Sequence, residues 1–167
     1  YTLPSNGASY QLIDPFVLFS LRFLNQSRQT SWIDYVHTPS YVAWRGNAFE
    51  ICCLNHIPQL KAALGITGVG TMEYAWRSKT SDPGAQIDLL IDRKDGVINL
   101  CEMKFTDNDF EMDKNEYSKV MNKLTAFQSE TSTGKAIHLT IVTANGLKKG
   151  KYSSVFQNVI TGDDLFT

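Results

Sequence analysis

The chain has no run of ~18 apolar residues, so it offers no bilayer-spanning helix, and it shows no signal or transit segment. Cysteine is scarce, with three in 167 residues (Cys52, Cys53 and Cys101). None forms a CxxC pair, and an odd count suits neither a zinc knuckle nor a disulfide framework. Neighbouring Cys52 and Cys53 cannot readily bridge each other, so all three are read as reduced, small and mostly buried, which fits a cytoplasmic compartment. Histidine is equally sparse: His37, His56 and His138 include no pair with zinc-site spacing. Neither charge sign dominates, since 16 basic residues meet 17 acidic ones for a net charge of −1. That excludes a polybasic binder whose affinity would come from many phosphate contacts. There is no internal repeat and no low-complexity tract. What is present is a hydrophobic fraction of 43% and a charged fraction of 20%, the composition of an ordinary globular domain. The chain opens at Tyr1, not at methionine, on a polar stretch from Leu3 to Ser9, so a fragment of something longer is expected.

Two blocks differ in period. Asp14-Pro15 suits an N-cap with proline at the first helical position, and the apolar run to about Asn25 predicts a helix buried on more than one face. Gln26 to Ser31 reads as a loop, and Trp32 to His37 as a short helix or irregular segment. Thr38-Pro39 marks another helix start. Phe49, Cys52, Cys53, His56, Ile57, Leu60 and Leu64 then follow helical spacing up to Gly65, a C′ residue. Pro58 falls within that pattern and predicts a kink or restart. From Gly70 the period becomes two. Strands are expected at Thr71–Arg77, Gln86–Arg93 and Val97–Phe105, the last two joined by a Lys94-Asp95-Gly96 hairpin turn. A capping box at Asp113–Glu116 opens a helix with apolar residues at Tyr117, Val120, Met121, Leu124 and Phe127, and Ala136–Ala144 reads as a buried strand.

The hairpin carries the chemistry. If Arg93 pairs with Val97, Asp88 stands opposite Glu102, where Cβ atoms lie ~4.5–5.5 Å apart. Lys104, two residues beyond Glu102, points to the same face. Two carboxylates this close repel unless a cation sits between them or one is protonated. Mg²⁺ or Mn²⁺ suits such a pair, and a neighbouring ammonium can polarise a water or stabilise charge on a phosphate. The strand VINLCEMKF is apolar on both faces apart from Asn99, Glu102 and Lys104, and a buried strand does not carry such ions without a partner or a role. Glu50, among Phe49, Ile51, Cys52 and Cys53, is placed near the core edge.

Glu50 on a helix, Asp88 on a hairpin strand and Glu102-Met103-Lys104 on the next strand resemble the PD-(D/E)XK nuclease superfamily. The resemblance implies an α/β restriction-endonuclease-like fold, an αβββαβ core with a mixed central sheet flanked by helices, here preceded by an N-terminal helical extension. More narrowly, WRGNAFE (Trp44–Glu50), GAQIDLLIDR (Gly84–Arg93), INLCEMKF (Ile98–Phe105) and the closing GDDLF (Gly162–Phe166) resemble the C-terminal nuclease-like domain of a prokaryotic ATPase family. In that family an NTP-binding domain and a winged-helix segment come first. Residues 1–40 would form a linker and extension, and residues 41–167 the nuclease-like domain. By resemblance, Asp88 and Glu102 are metal ligands, Lys104 the catalytic lysine, and Glu50 a helix acid serving a second metal or the water network. Gln86 shares a face with Asp88 and is a contributor. The eponymous proline is absent, because Ile87 precedes Asp88. The implied activity is Mg²⁺- or Mn²⁺-dependent phosphodiester hydrolysis in DNA, with the upstream ATPase domain of the same polypeptide as partner and no membrane.

Other readings stand beside this one. The lesser reading of Asp88, Glu102 and Lys104 is a structural ion cluster in which Lys104 pairs with one of the acids, and that of Glu50 a surface or capping carboxylate. A nuclease fold without catalysis, binding nucleic acid or protein and regulating the ATPase, is the alternative function; a homodimerisation domain is a third. The acidic run Thr106–Glu116 lacks the glycine and terminal glutamate of a calcium loop and reads as a solvated loop and helix cap. It is unfavourable beside DNA, which is therefore expected to approach from another side. Lys148, Lys149 and Lys151 are the candidates for phosphate contact. Trp32, Trp44 and Trp76 are assigned to the core, and His56 to packing on its helix.

Overall fold

The computed structural model describes residues 12–24, 32–80 and 84–167. The polar opening, Asn25 and the Gln26–Ser31 loop fall outside them. Five helices appear: α1 (Pro15–Phe19), α2 (Trp32–Val36), α3 (Pro39–Asn55), α4 (Ile57–Ala63) and α5 (Lys114–Thr131). They accompany strands β1 (Thr71–Arg77), β2 (Gln86–Arg93), β3 (Val97–Lys104), β4 (Ala136–Thr143) and β5 (Asn158–Thr161) in one sheet of order β1-β2-β3-β4-β5. The pairs β1–β2 and β2–β3 are antiparallel, while β3–β4 and β4–β5 are parallel. The protein is therefore α/β, with a mixed five-stranded sheet flanked by helices. No helix among the described residues is long and apolar enough to cross a membrane.

Local chemistry explains each element. Asp14 caps α1, its Oδ1 accepting from the amides of Phe16 and Val17 at 2.8 and 3.1 Å, with Pro15 in the first turn. Thr38 caps α3 through Tyr41 N at 3.2 Å. Residues 39 and 40, assigned by sequence to the extension, are the first turn of α3. The helix stops at His56, and Pro58 opens α4 in its first turn, so the proline restarts the chain and does not merely kink it. Gly65 ends α4 with φ of 68°, and Gly96 closes the β2–β3 turn with φ of 87°, both in the left-handed region that favours glycine. Asp113 caps α5 through Glu116 N at 2.8 Å.

Two expectations are corrected. The segment after Asp14 changes from α to π geometry at Ser20–Leu24, and it is not buried on several faces: Phe16, Val17, Leu21 and Leu24 are exposed. Only Phe23 is buried, at the centre of an aromatic group with Phe19, Tyr35, Tyr41 and Trp44, because this segment packs one side against α2 and α3. The capping box is half realised, since the Glu116 carboxylate turns to lysines and not back to Asp113. Strand β5 has no counterpart in the sequence pattern. At four residues, with Val159 exposed and Ile160 buried, it is too short to show a period.

The sheet separates two cores. On one face Leu90, Ile98, Leu100, Leu139 and Ile141 pack against Val120 and Phe127 of α5, and Trp76 meets Phe127 edge-on at 5.3 Å. On the other, Leu89, Ile91, Cys101, Met103 and Val142 pack against Cys53 and Leu60 of α3 and α4. Burying each large side chain contributes about 1.5–3 kcal/mol. A polar row crosses the buried middle: Asn99 Nδ2 donates to Thr140 Oγ1 at 3.1 Å and Asn158 Oδ1 at 3.4 Å, spanning β3, β4 and β5. The thiols behave as small hydrophobes; burial pushes Cys101 up to about 12 and raises Cys52 and Cys53 as well.

The closing GDDLF segment ties the C-terminus down. Asp164 accepts from the Thr161 amide and hydroxyl at 2.7 and 2.9 Å, Leu165 enters the second core, and Gly162 N donates to Ala144 O at 3.1 Å. A Cβ on Gly162 would lie 2.7 Å from that carbonyl oxygen, which is backbone and cannot swing aside. Gly162→Ala is expected to cost about 1–3 kcal/mol, read as a lower urea midpoint at unchanged slope. An unchanged midpoint would mean that the contact relaxes freely.

Candidate functional site

The hairpin register agrees with the sequence reading. Leu89 pairs with Cys101 and Asp92 with Ile98, but the paired ladder ends at Leu89, so the expected direct opposition of Asp88 and Glu102 on one face is not formed. On the other side of β2 a bulge breaks the pairing with β1. Tyr74 pairs with Leu90 but Trp76 with Ile87, so Ala75 stands against both Asp88 and Leu89. Asp88 is thereby turned with Leu89 toward a cavity of about 350 Å³, where Ile51, Leu54 and Ile57 also line the wall. Glu102 alternates with Cys101 and Met103, which belong to the α3/α4 core, and reaches the opposite face toward α5. The two carboxylates lean apart around the end of the hairpin, and Glu50 of α3 stands in the field of both.

Each acid has its own electrostatic setting. Glu50 is raised above the ordinary glutamate value, first by burial and then by the charges of Asp88 and Glu102, against opposition from Lys104 and Lys123. Asp88 accepts from Gln86 Nε2 at 2.7 Å, and Arg77 in turn donates to Gln86 Oε1, so a relay from β1 orients the aspartate. Gln86 is thus a positioning contact of Asp88. Glu102 is the buried member, 8% exposed, and both its oxygens meet cations: Oε1 at 3.1 Å from Lys104 Nζ and Oε2 at 2.7 Å from Lys123 Nζ. Lys104 also reaches Glu116 at 3.1 Å, and Glu116 meets Lys119 at 2.5 Å. Burial alone would lower the Lys104 ammonium, but Glu102 and Glu116 outweigh it and hold the group above its usual value. Burial would likewise raise Glu116, yet Lys119 and Lys104 bring it below. Beside Lys104 in the β3–β4 register stands Thr143, fully buried, whose Oγ1 has no partner among the described residues.

The antiparallel run of α5 over β3 explains these pairings. Lys104 comes later on β3 and meets Glu116 early on α5, whereas Glu102 comes earlier and meets Lys123 late. Sequence reasoning did not identify Glu116 as a partner or Lys123 at all. The signal was available: 116, 120, 123 and 127 lie on one helical stripe, and Val120 and Phe127 are its buried members.

The lysine loop is placed differently from expectation. Phe110 N donates to Gly146 O at 2.7 Å and Lys148 N to Phe110 O at 2.9 Å, so the loop lies against the acidic run that DNA is expected to avoid. Lys148 pairs with Glu111 at 2.9 Å in an exposed ion pair. Lys151 stacks over Tyr152 at 5.3 Å, and Lys149 is exposed. Arg45 of α3 pairs with Asp107 at 2.6 Å and lies over Phe105, further neutralising the acidic run. Trp44 and Trp76 are partly buried among aromatic rings, as expected of core residues, and His56 packs on Phe166 at 5.0 Å.

As donors, Glu50, Asp88 and Glu102 offer hard oxygens, the type that Mg²⁺ and Mn²⁺ take. Their arrangement is not yet a ligand set. Among the described residues no three His, Cys, Asp or Glu side chains gather to hold a metal ion. Each oxygen of Glu102 already has a lysine beside it.

No family model matches the chain, and no curated protein matches it. Among solved structures it is similar to AF1548, described as a protein of unknown function, at 15% identity and a TM-score of 0.44. That likeness covers 66% of this chain and 56% of the other.

The raised Glu50 gives a signed expectation. Its folded value exceeds the unfolded one, so ionisation opposes folding; the penalty is absent well below 4.5 and grows as pH rises through the folded value. Glu50→Gln should therefore melt higher than the parent at pH 7 without metal and equal it near pH 3. A variant less stable at pH 7 would show that the carboxylate is needed in its charged form.

Proposed function

We propose that the protein is a metal-dependent nuclease of the PD-(D/E)XK type, with a restriction-endonuclease-like core spanning α3, the five strands and α5, acting on DNA as the C-terminal part of a larger ATPase. The observation that supports this best is that Glu50 is raised by burial and then by the charges of Asp88 and Glu102, with Lys104, 3.1 Å from Glu102, acting against them, so the four groups feel one another electrostatically. The phrases around Trp44–Glu50, Gly84–Arg93 and Ile98–Phe105 support the narrower resemblance to the ATPase-linked domain.

In this reading Asp88 and Glu102 hold Mg²⁺ or Mn²⁺, with Glu50 assisting. A bound divalent ion would supply Lewis-acid polarisation of the phosphate and a more acidic water. Lys104, fixed between Glu102 and Glu116, keeps its proton and presents a permanent positive charge to the attacking water and the phosphoryl oxygens. The Arg77–Gln86 relay holds Asp88 in place.

A second reading has its own observation. Both oxygens of Glu102 are already neutralised by Lys104 and Lys123, as in a self-sufficient ion cluster, and this favours a nuclease fold kept as a binding or regulatory module.

Supercoiled plasmid, branched DNA and single-stranded DNA, each with Mg²⁺, Mn²⁺ or EDTA, separate the two. The nuclease reading expects metal-dependent cutting that falls at least ~100-fold in Lys104→Ala, and Mn²⁺ binding that is lost in Asp88→Asn. A folded protein that neither cuts nor binds Mn²⁺ would leave the module.

A further inference from the structure

Resting on the metal-site reading above, we propose that Lys123 is the resident counter-ion of Glu102, which a divalent cation must displace, so that an ammonium from α5 and the metal compete for one carboxylate. Glu102 is nearly buried on the central strand, and a carboxylate there needs a cation at all times. Two lysines supply it, but they are not equivalent. Lys104 is held by two acids, Glu102 and Glu116, at 3.1 Å each. Lys123 has Glu102, at 2.7 Å, as its ion-pair partner among the described residues. When a metal arrives, Lys104 keeps Glu116 whichever way Glu102 turns, whereas Lys123 loses its direct ion-pair partner and keeps only the attraction of Glu50 across a longer gap. The Lys123 side chain is 21% exposed, so its flexible four-carbon stem has a route to solvent.

Geometry also sets which oxygen is exchanged. Oε1 faces Lys104 and Oε2 faces Lys123. Release of Lys123 frees Oε2 while the Lys104 contact stays, so the carboxylate becomes a ligand without losing the lysine that the chemistry needs. In the metal-free protein Lys123 thus positions Glu102 and keeps the acidic end of the hairpin from repelling itself open.

The test is Mn²⁺ affinity, read by electron paramagnetic resonance and calorimetry, with thermal unfolding measured with and without Mn²⁺. Lys123→Met and the more conservative Lys123→Gln should each bind Mn²⁺ about tenfold more tightly than the parent, because a competing positive charge has gone. They should also melt lower without metal and gain more from adding it. Lys123→Arg, which restores the charge, should return the parent affinity. A lysine that merely held the fold together would give the opposite sign, with weaker binding in both neutral variants. Parent binding that is abolished by Asp88→Asn but unchanged or weakened in folded Lys123→Gln would overturn this inference and leave the metal site standing. Absence of Mn²⁺ binding in parent and variants alike would overturn both.

Discussion

A charge on a buried central strand has to be answered from another element, and that constraint organises this protein. Strand β3 is covered on both faces, yet it carries Glu102 and Lys104 two residues apart on the side facing α5. Helix α5 answers with Glu116 and Lys123, seven residues apart on the stripe that also delivers Val120 and Phe127 to the core. The same helix face therefore serves apolar packing and ion pairing. The alternating row Lys123–Glu102–Lys104–Glu116–Lys119 leaves no member without an opposite neighbour. Removing the lysines from Glu102 is harmful because the carboxylate left behind stays buried, not because each pair is strong.

That row also accounts for the two functions weighed for the protein. Seen from β3, a glutamate and a lysine, with an aspartate on the neighbouring strand, are the groups that the proposed hydrolysis would use. Seen from α5, the same glutamate is already satisfied. The difference lies in whether a divalent ion supplies more to Glu102 than Lys123 does, a matter of charge and geometry at one oxygen.

Much of the fold was legible because its signals are local. Proline and threonine marked the start of α3, Pro58 the restart into α4, glycines the ends of α4 and of the hairpin, and period-two alternation the strands β1 to β3. The hairpin register came from a single turn geometry, since a three-residue connection leaves one alignment that keeps the apolar faces together. What escaped was non-local. The bulge that turns Asp88 with Leu89 depends on β1 supplying one residue, Ala75, against two. The π segment and its exposed apolar side depend on what α1 has to pack against. Lys123 and Glu116 acquire their roles only when α5 is laid antiparallel over β3, and the lysine loop meets the acidic run only through the Phe110–Leu147 bridge.

The polar row of Asn99, Thr140 and Asn158 bears on how the chain assembles. Its hydrogen bonds join residues 41 and 59 positions apart, so closing them costs more chain entropy than closing the local hairpin or a helical turn. Strands of Ile, Leu and Val slide past one another with little penalty as long as each keeps its greasy side inward. An amide and a hydroxyl sealed between them do not, because a shift of two residues would retain the greasy pattern and strand all three polar groups in the dark. The row therefore acts as a proofreading key for β4 and β5, rejecting alignments that hydrophobicity alone would accept.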